Sequence, residues 1–487
     1  MHSRRRTLIL VVVGALTLVG DGASGAELLV GAATADITPE PPVVLAGMRI
    51  ATTVESRCMA SVLALESRDG DRVVDQAIVV SCDLCILPGI QQGFRQHVAD
   101  RLPGFDVGKL FLAATHTHTS MMVYKNEYDE KDYGDAVQPK DYLPLLYERL
   151  AEAVVKAWES RSVGAVAWGL GHAVVGCNRR AVYEDGHAQM YGNPNDPEFR
   201  HIEGYEDHAV DVLCFYDHKK RLKATAITLA CPAQSAPRGQ VSADFWHDVR
   251  ELLRKRHGED LCVLGFCAPA GDQTPNLTFG KAGEARMQQL RGLTRTQELG
   301  RRIADAVDDV AGVIAGDVRA DVPLVHLVRQ VDLPARIVTE AECADAQKVC
   351  DAMDAEKAKG EAGARRWYWR VYYGMVVDRY HAQQKGDRRV YPVEVHVLRL
   401  GDVAVATNPF ELYLDYGVQI QARSAAGQTI LIQLASAPSS YAGYVPTPRA
   451  VEAAGYSAEV VVNMVGPEGA QVLVDRTVEA INEVWEK

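Results

Sequence analysis

The segment Leu110-Phe-Leu-Ala-Ala-Thr-His116-Thr-His118-Thr-Ser120 constrains this chain more than any other stretch. An uninterrupted apolar run reads as a buried strand, and this one ends in two imidazoles spaced by a single residue. Residues two apart in a strand share a face. His116 and His118 are therefore expected to project together from the strand's end, where the chain meets solvent. Neutral imidazole is the commonest protein ligand for zinc. A pair of surface histidines would show the same spacing, so the rest of the chain has to decide.

Comparable apolar runs occur at residues 77–81, 163–168, 210–216, 224–230, 262–266 and 403–407. They alternate with helical periodicity at residues 142–160 and 245–256. That alternation predicts a mixed, multi-layer α/β fold. Residues 339–384 break the pattern as a charged helical insertion ending in Trp367-Tyr368-Trp369 and Tyr372-Tyr373. Aromatic residues on a helix favour packing against the core over a substrate-facing patch. No internal repeat is evident.

With 47% hydrophobic and 24% charged residues, the chain has the composition of a globular protein. Its formal charge of −12 argues against a nucleic-acid partner. Residues 1–26 read as a secretory signal: Arg4-Arg5-Arg6, an apolar run over residues 8–20, then Ala23-Ser24-Gly25-Ala26. The expectation is a secreted or periplasmic protein with one domain over residues 27–487. Ten cysteines are compatible with export. Cys343 and Cys350 lie too far apart for an ideal bridge within one helix, Cys82 and Cys85 are close in a turn, and no paired CxxC motif supports a structural zinc knuckle.

Several loop-borne constellations accompany the HxH. Arg179 and Arg180 in Cys177-Asn178-Arg179-Arg180 are placed to clamp an oxyanion, or are solvated charge. Residues 270–276, Ala-Gly-Asp-Gln-Thr-Pro-Asn, have the chemistry of a tight turn. Glu411 follows Asn408-Pro409, and Tyr441, Tyr444 and Tyr456 bring phenols onto loops.

The order of these pieces is more specific than any one of them. ATADITP at residues 33–39, then ATHTHTS, CNRR, GDQTPN, NPFE and YAGY, resembles the catalytic domain of the neutral/alkaline, non-lysosomal ceramidases over about residues 30–466. The resemblance implies a zinc-dependent amidase. It implies His116, Glu411 and Tyr444 as metal ligands, His118 as an acid/base or oxyanion group, and Arg179 and Tyr456 as groups that orient the substrate. Asp272 and Thr274 then lie near the site. Family members carry a C-terminal β-sandwich domain, whereas this chain ends soon after a final helix that begins near Val472.

One departure concerns a ligand. Where the family has a further histidine, this chain reads Leu229-Ala-Cys231-Pro-Ala-Gln-Ser235. Cys231 as a thiolate, His247, or an oxygen of Asp244 are candidates to replace it, and a site without that ligand is the remaining option. The expected activity is hydrolysis of a ceramide-like N-acyl lipid or a related amide by metal-activated water. A lipid amide substrate allows peripheral contact with a membrane. The alternative is a non-catalytic binding protein that has lost a metal ligand. Asp83, after the first of these strands, keeps a metallophosphatase in view, although the carboxylate-rich ligand run of two-metal phosphoryl chemistry is missing.

Overall fold

The computed structural model describes residues 26–124, 133–359, 364–387, 389–438 and 443–486, with the backbone alone over residues 364–368. Residues 1–25, which hold all but the last residue of the leader expected at residues 1–26, Tyr441, and the side chains of Trp367 and Tyr368 lie outside what it describes.

Twelve strands in two sheets carry the fold. The first sheet contains β1 (Glu27–Asp36), β2 (Met59–Asp69), β3 (Arg72–Cys82), β4 (Leu110–Ala114), β5 (Ser162–His172), β6 (Ala209–Asp217), β7 (Leu222–Leu229) and β8 (Cys262–Cys267). Its spatial order is β8-β7-β6-β5-β1-β2-β3-β4. The two outermost pairs, β3 with β4 and β7 with β8, are parallel, and the pairs between them are antiparallel. The second sheet has the order β9 (Leu324–Pro334), β10 (Val390–Leu400), β11 (Val403–Thr407) and β12 (Gln428–Ile432).

Side-chain alternation explains the layering. In β2, Leu63 and Leu65 face the second sheet, where they meet Leu398, Leu400 and Val405. Val62 and Ala64 face the other way, into the core beneath helix α1 (Pro139–Glu159). Helices α2 (Phe245–His257) and α3 (Arg295–Ile314) cover the remainder of that face. The second sheet's outer face is covered by α4 (Glu340–Ala358), α5 (Ala364–Gln384) and α6 (Pro467–Glu486). The result is a helix–sheet–sheet–helix sandwich, the multi-layer α/β architecture expected. Within residues 339–384, α4 and α5 are two helices packed together, with α4 entered through a capping box at Thr339 and Glu342.

Because β3 and β4 run parallel, their C-terminal ends open on the same side, and the loops that leave them lie together. Thr115 N donates to the Cys82 carbonyl at 2.9 Å, and Thr117 N donates to the Leu84 carbonyl at 3.0 Å. Asp83 beneath them is fully buried and accepts a bidentate pair from Arg250 of α2 at 2.6 and 2.8 Å. It also accepts from Met59 N at 2.8 Å. The carboxylate that kept phosphoryl chemistry in view is thus committed to holding a loop.

Candidate functional site

His116 and His118 do converge, but not as neighbours on one strand face. β4 ends at Ala114, and His116 adopts φ 60°, the left-handed region that costs a non-glycine residue about 1 kcal/mol. That turn reverses the local direction of the chain. His118 N donates to the Ala233 carbonyl at 3.0 Å, which fixes the second imidazole from the opposite wall. The two rings meet edge to face with centroids 4.7 Å apart.

Nδ1 of His116 lies 2.8 Å from the Cys85 carbonyl oxygen, so that nitrogen carries a proton and Nε2 is turned to the cavity, with a lone pair there whenever the imidazole is neutral. Nε2 of His118 is 3.3 Å away, and Oε2 of Glu411 is 3.2 Å away. His116 Nε2 thus stands between a second imidazole nitrogen and a carboxylate oxygen. Burial disfavours a charge on His116, yet the Glu411 carboxylate and the Cys85 side chain outweigh it and hold the imidazole well above its ordinary range. Burial, followed by the charge on His116, lowers His118 to about 3, which keeps it a neutral imidazole.

Glu411 and Tyr444 owe their proximity to strand register. They are direct partners in a two-residue parallel pairing of Glu411–Leu412 with Tyr444–Val445. The Tyr444 hydroxyl hydrogen-bonds Glu411, and burial, with that carboxylate adding to it, keeps the phenol un-ionised. Gly271 passes so close to this strand that a Cβ on it would sit 2.4 Å from the Glu411 carbonyl. Arg179 lies behind Tyr444: its Nη2 donates to the Gly271 carbonyl at 2.9 Å and to the Tyr444 hydroxyl at 3.4 Å.

These groups line a cavity of about 500 Å³. His116, His118, Glu411, Tyr444 and Tyr456 reach its wall, together with Cys85, Arg49, Arg238, Trp369 and Tyr372. Trp369 and Tyr372 of α5 therefore reach the cavity as well as the core, while Tyr373 and Tyr380 pack on the core alone. Trp369 meets Tyr456 edge to face at 6.0 Å, and Tyr456 meets Tyr444 at 5.8 Å.

Two solved structures share this architecture. A ceramidase complexed with C2 matches with a TM-score of 0.67 and 16% identity, covering 94% of this chain and 76% of that one. The neutral ceramidase from Pseudomonas aeruginosa matches with a TM-score of 0.66 and 17% identity, covering 94% and 75%. This chain has the neutral ceramidase fold. No protein-family model and no curated protein sequence matches it.

Within the neutral ceramidase fold, the segment that departs from the family motif does not deliver its cysteine to the cluster. Cys231 follows the end of β7 and packs into the apolar core beneath α2, where its thiol donates to the Pro232 carbonyl at 3.5 Å. Burial drives that thiol's pKa far up. His247 sits in the first turn of α2 and is not on the cavity wall. Asp244 is consumed as the cap of α2, accepting from Phe245 N at 2.8 Å, Ser235 N at 2.7 Å and Ala236 N at 2.6 Å. Neither Cys231 nor His247 stands beside His116 Nε2: the first side chain is taken up by the core under α2, and the second lies in the first turn of that helix.

Asp272 and Thr274 stand one layer behind the wall. Asp272 accepts from Asn178 Nδ2 at 2.8 Å and from Leu414 N at 3.2 Å, joining the loop that carries Arg179 to the one that follows Glu411. Its burial raises the carboxyl pKa to about 6. Thr274 bonds Gln234 and Tyr191, and the Tyr191 hydroxyl accepts from Arg179 Nη1 at 3.1 Å. Arg180 is a structural cation paired with Glu203 at 2.8 and 3.0 Å. It also donates to the Ala454 carbonyl at 2.6 Å, which anchors the loop bearing Tyr456.

Sequence reasoning overlooked Cys85 at the site. Cys85, His116 and His118 form a group whose ligand atoms all lie within 4.8 Å of one another. The Cys85 sulfur lies 3.9 Å from Nδ1 of His116, on the side away from Glu411. The nearer Cys85 carbonyl already holds the Nδ1 proton, so that nitrogen has no lone pair with which to activate the thiol.

The residues present fit zinc. Neighbouring donors about 2.0–2.1 Å from a tetrahedral zinc ion are about 3.3–3.4 Å apart. The two separations from His116 Nε2, 3.3 Å to His118 Nε2 and 3.2 Å to Glu411 Oε2, are close to that edge length.

Proposed function

We propose that this protein is a metal-dependent amidohydrolase whose ion is held by His116 Nε2, His118 Nε2 and the Glu411 carboxylate. The observation that carries the reading is that His116 Nε2 lies 3.3 Å from His118 Nε2 and 3.2 Å from Glu411 Oε2 on one wall of a cavity. His118 then takes the place of the family histidine that is missing here. Zinc in such a site polarises a carbonyl and makes hydroxide available near neutral pH.

The chain's own residues account for the rest of an amide hydrolysis. Glu411 is the only carboxylate among the described residues of the cavity wall, and it is the group that accepts a proton from the attacking water and returns it to the leaving nitrogen. Tyr444 carries a phenolic proton beside that point and donates to the developing oxyanion. The Arg179 guanidinium behind it stabilises the negative charge that builds up there. Tyr456, with Trp369, orients the substrate at the mouth. A lipid amide fits this aromatic wall, and a signal over residues 1–26 would place the reaction outside the cytoplasm.

The test is hydrolysis of a panel of N-acyl amides, N-acylsphingosine included, by zinc-reconstituted protein. Amide turnover abolished by chelator and restored by zinc is the expected result. Stoichiometric zinc without turnover of any amide or ester would leave a binding protein.

A further inference from the structure

The charge on the cavity wall is opposite to that of the chain. The protein carries a formal charge of −12, yet the charged residues on the described wall, apart from the two histidines and Glu411, are Arg49 and Arg238. Both are exposed, and neither has an ion-pair or hydrogen-bond partner among the described residues.

Their positions are set by backbone ties close to the reacting centre. Arg49 opens the second strand of a hairpin, Val43–Leu45 with Arg49–Ala51, and Ala46 of its turn donates to the Ser120 carbonyl at 2.9 Å. Arg238 precedes Val241 and Ser242, whose amides donate to the Thr53 and Thr119 carbonyls at 3.0 and 3.1 Å. Each loop is thus bonded within two residues of His118. Gly47 and Gly239 line the wall beside the two arginines and keep the approach open. Two guanidiniums without acidic partners among the described residues, at the rim of an acidic protein, concentrate anions locally, and they offer planar, bidentate donors to a carboxylate, sulfonate or phosphate.

We infer that the substrate is an anionic amide, bearing an acidic group that Arg49 and Arg238 bind at the cavity rim while the amide lies at His116 and Glu411. This rests on the hydrolase reading above. A cavity of this volume is roughly 10 Å across, so the acidic group lies within a few bonds of the scissile amide, as in an N-acyl amino acid. The neutral headgroup of an N-acylsphingosine leaves both guanidiniums unused.

The experiment compares N-octanoylglycine, N-octanoyltaurine and N-octanoyl-O-phosphoethanolamine with neutral N-octanoylethanolamine. Zinc-loaded wild type, Arg49→Gln, Arg238→Gln and the double variant are assayed in parallel. The expected result is that at least one anionic compound exceeds the neutral one by about tenfold in kcat/KM, mainly through KM, and that this ratio falls toward one in the double variant. Which anion leads identifies the acidic group. A wild-type ratio within about twofold of one, or a ratio that survives in the double variant, overturns the inference while leaving the hydrolase reading intact. If nothing is turned over, equilibrium dialysis of the same compounds decides. Anion-selective binding that the double variant loses upholds the inference without the hydrolase, and equal binding of neutral and anionic compounds overturns it.

Discussion

Two histidine pairs in this molecule are built from the same kinds of residue and behave differently. His326 and His396 lie between the two sheets with Glu394 and Arg95, and His116 and His118 lie at the cavity with Glu411 and Arg179. In the interior pair the contacts form a line: Gln76 carbonyl, His326, His396, Glu394. Protons on the two Nε2 atoms satisfy the two 2.8 Å links, leaving only the 3.1 Å contact to the Gln76 carbonyl without one. Arg95 closes the end of the line on Glu394 at 2.9 Å. At the cavity one atom carries both contacts: His116 Nε2 faces His118 Nε2 on one side and a Glu411 oxygen on the other. In the line two ring protons serve the two shortest links, whereas at the cavity His116 Nε2 faces two acceptors and needs a proton or a cation between them. Residue type does not distinguish a structural cluster from a metal centre here, and the direction of the lone pairs does.

The largest expected effect separates the two carboxylates. Glu411→Gln should lower amide turnover by on the order of 10³-fold and remove the metal. Glu394→Gln should leave the metal content at wild-type level. Loss of metal from the Glu394 variant would break the comparison.

A smaller effect appears in stability. His396→Ala removes a partner from both His326 and Glu394 inside the protein, and should lower the unfolding free energy by about 1–3 kcal/mol in denaturant titrations, with zinc retained. An undiminished stability would mean that the line of contacts contributes nothing.

The same line sets a pH dependence. Burial lowers both His326 and His396, so the unfolded chain binds more protons than the folded one once pH drops below the unfolded value of about 6.5. Their contribution is fully present above that value and is lost as pH falls from it toward the folded pKa values. The slope reaches about 1.4 kcal/mol per pH unit for each group. Denaturation midpoints at pH 7.5 and 5.5 in wild type and His396→Ala should show a shallower loss in the variant.

The smallest effect concerns Cys231. Cys231→Ala should keep its zinc and lose about 1 kcal/mol of stability, the cost of a small gap in the core.

Much of the frame was legible beforehand. The apolar runs at residues 77–81, 210–216 and 262–266 lie inside strands β3, β6 and β8, because strands buried on both faces leave an unbroken apolar signature. Glu411 and Tyr444 could be singled out only through the resemblance, since the pairing that joins them spans more than thirty residues of chain. The HxH spacing pointed to the right residues for an incomplete reason: the imidazoles meet through the left-handed turn at His116 after the strand has ended. Cys231 was expected by its position in a motif, and no local signal shows that the chain turns it into the core. Cys85, Arg49 and Arg238 were invisible as site residues, because loops from three separate regions bring them to one wall.

The most direct measurement is zinc stoichiometry by elemental analysis of the purified protein beside His116→Ala, His118→Ala and Cys231→Ala. The account predicts about one zinc per chain in the wild type and in Cys231→Ala, and loss of zinc in both histidine variants. Wild-type protein that takes up no zinc on reconstitution would contradict it, as would a site that survives removal of His118 and disappears with Cys231.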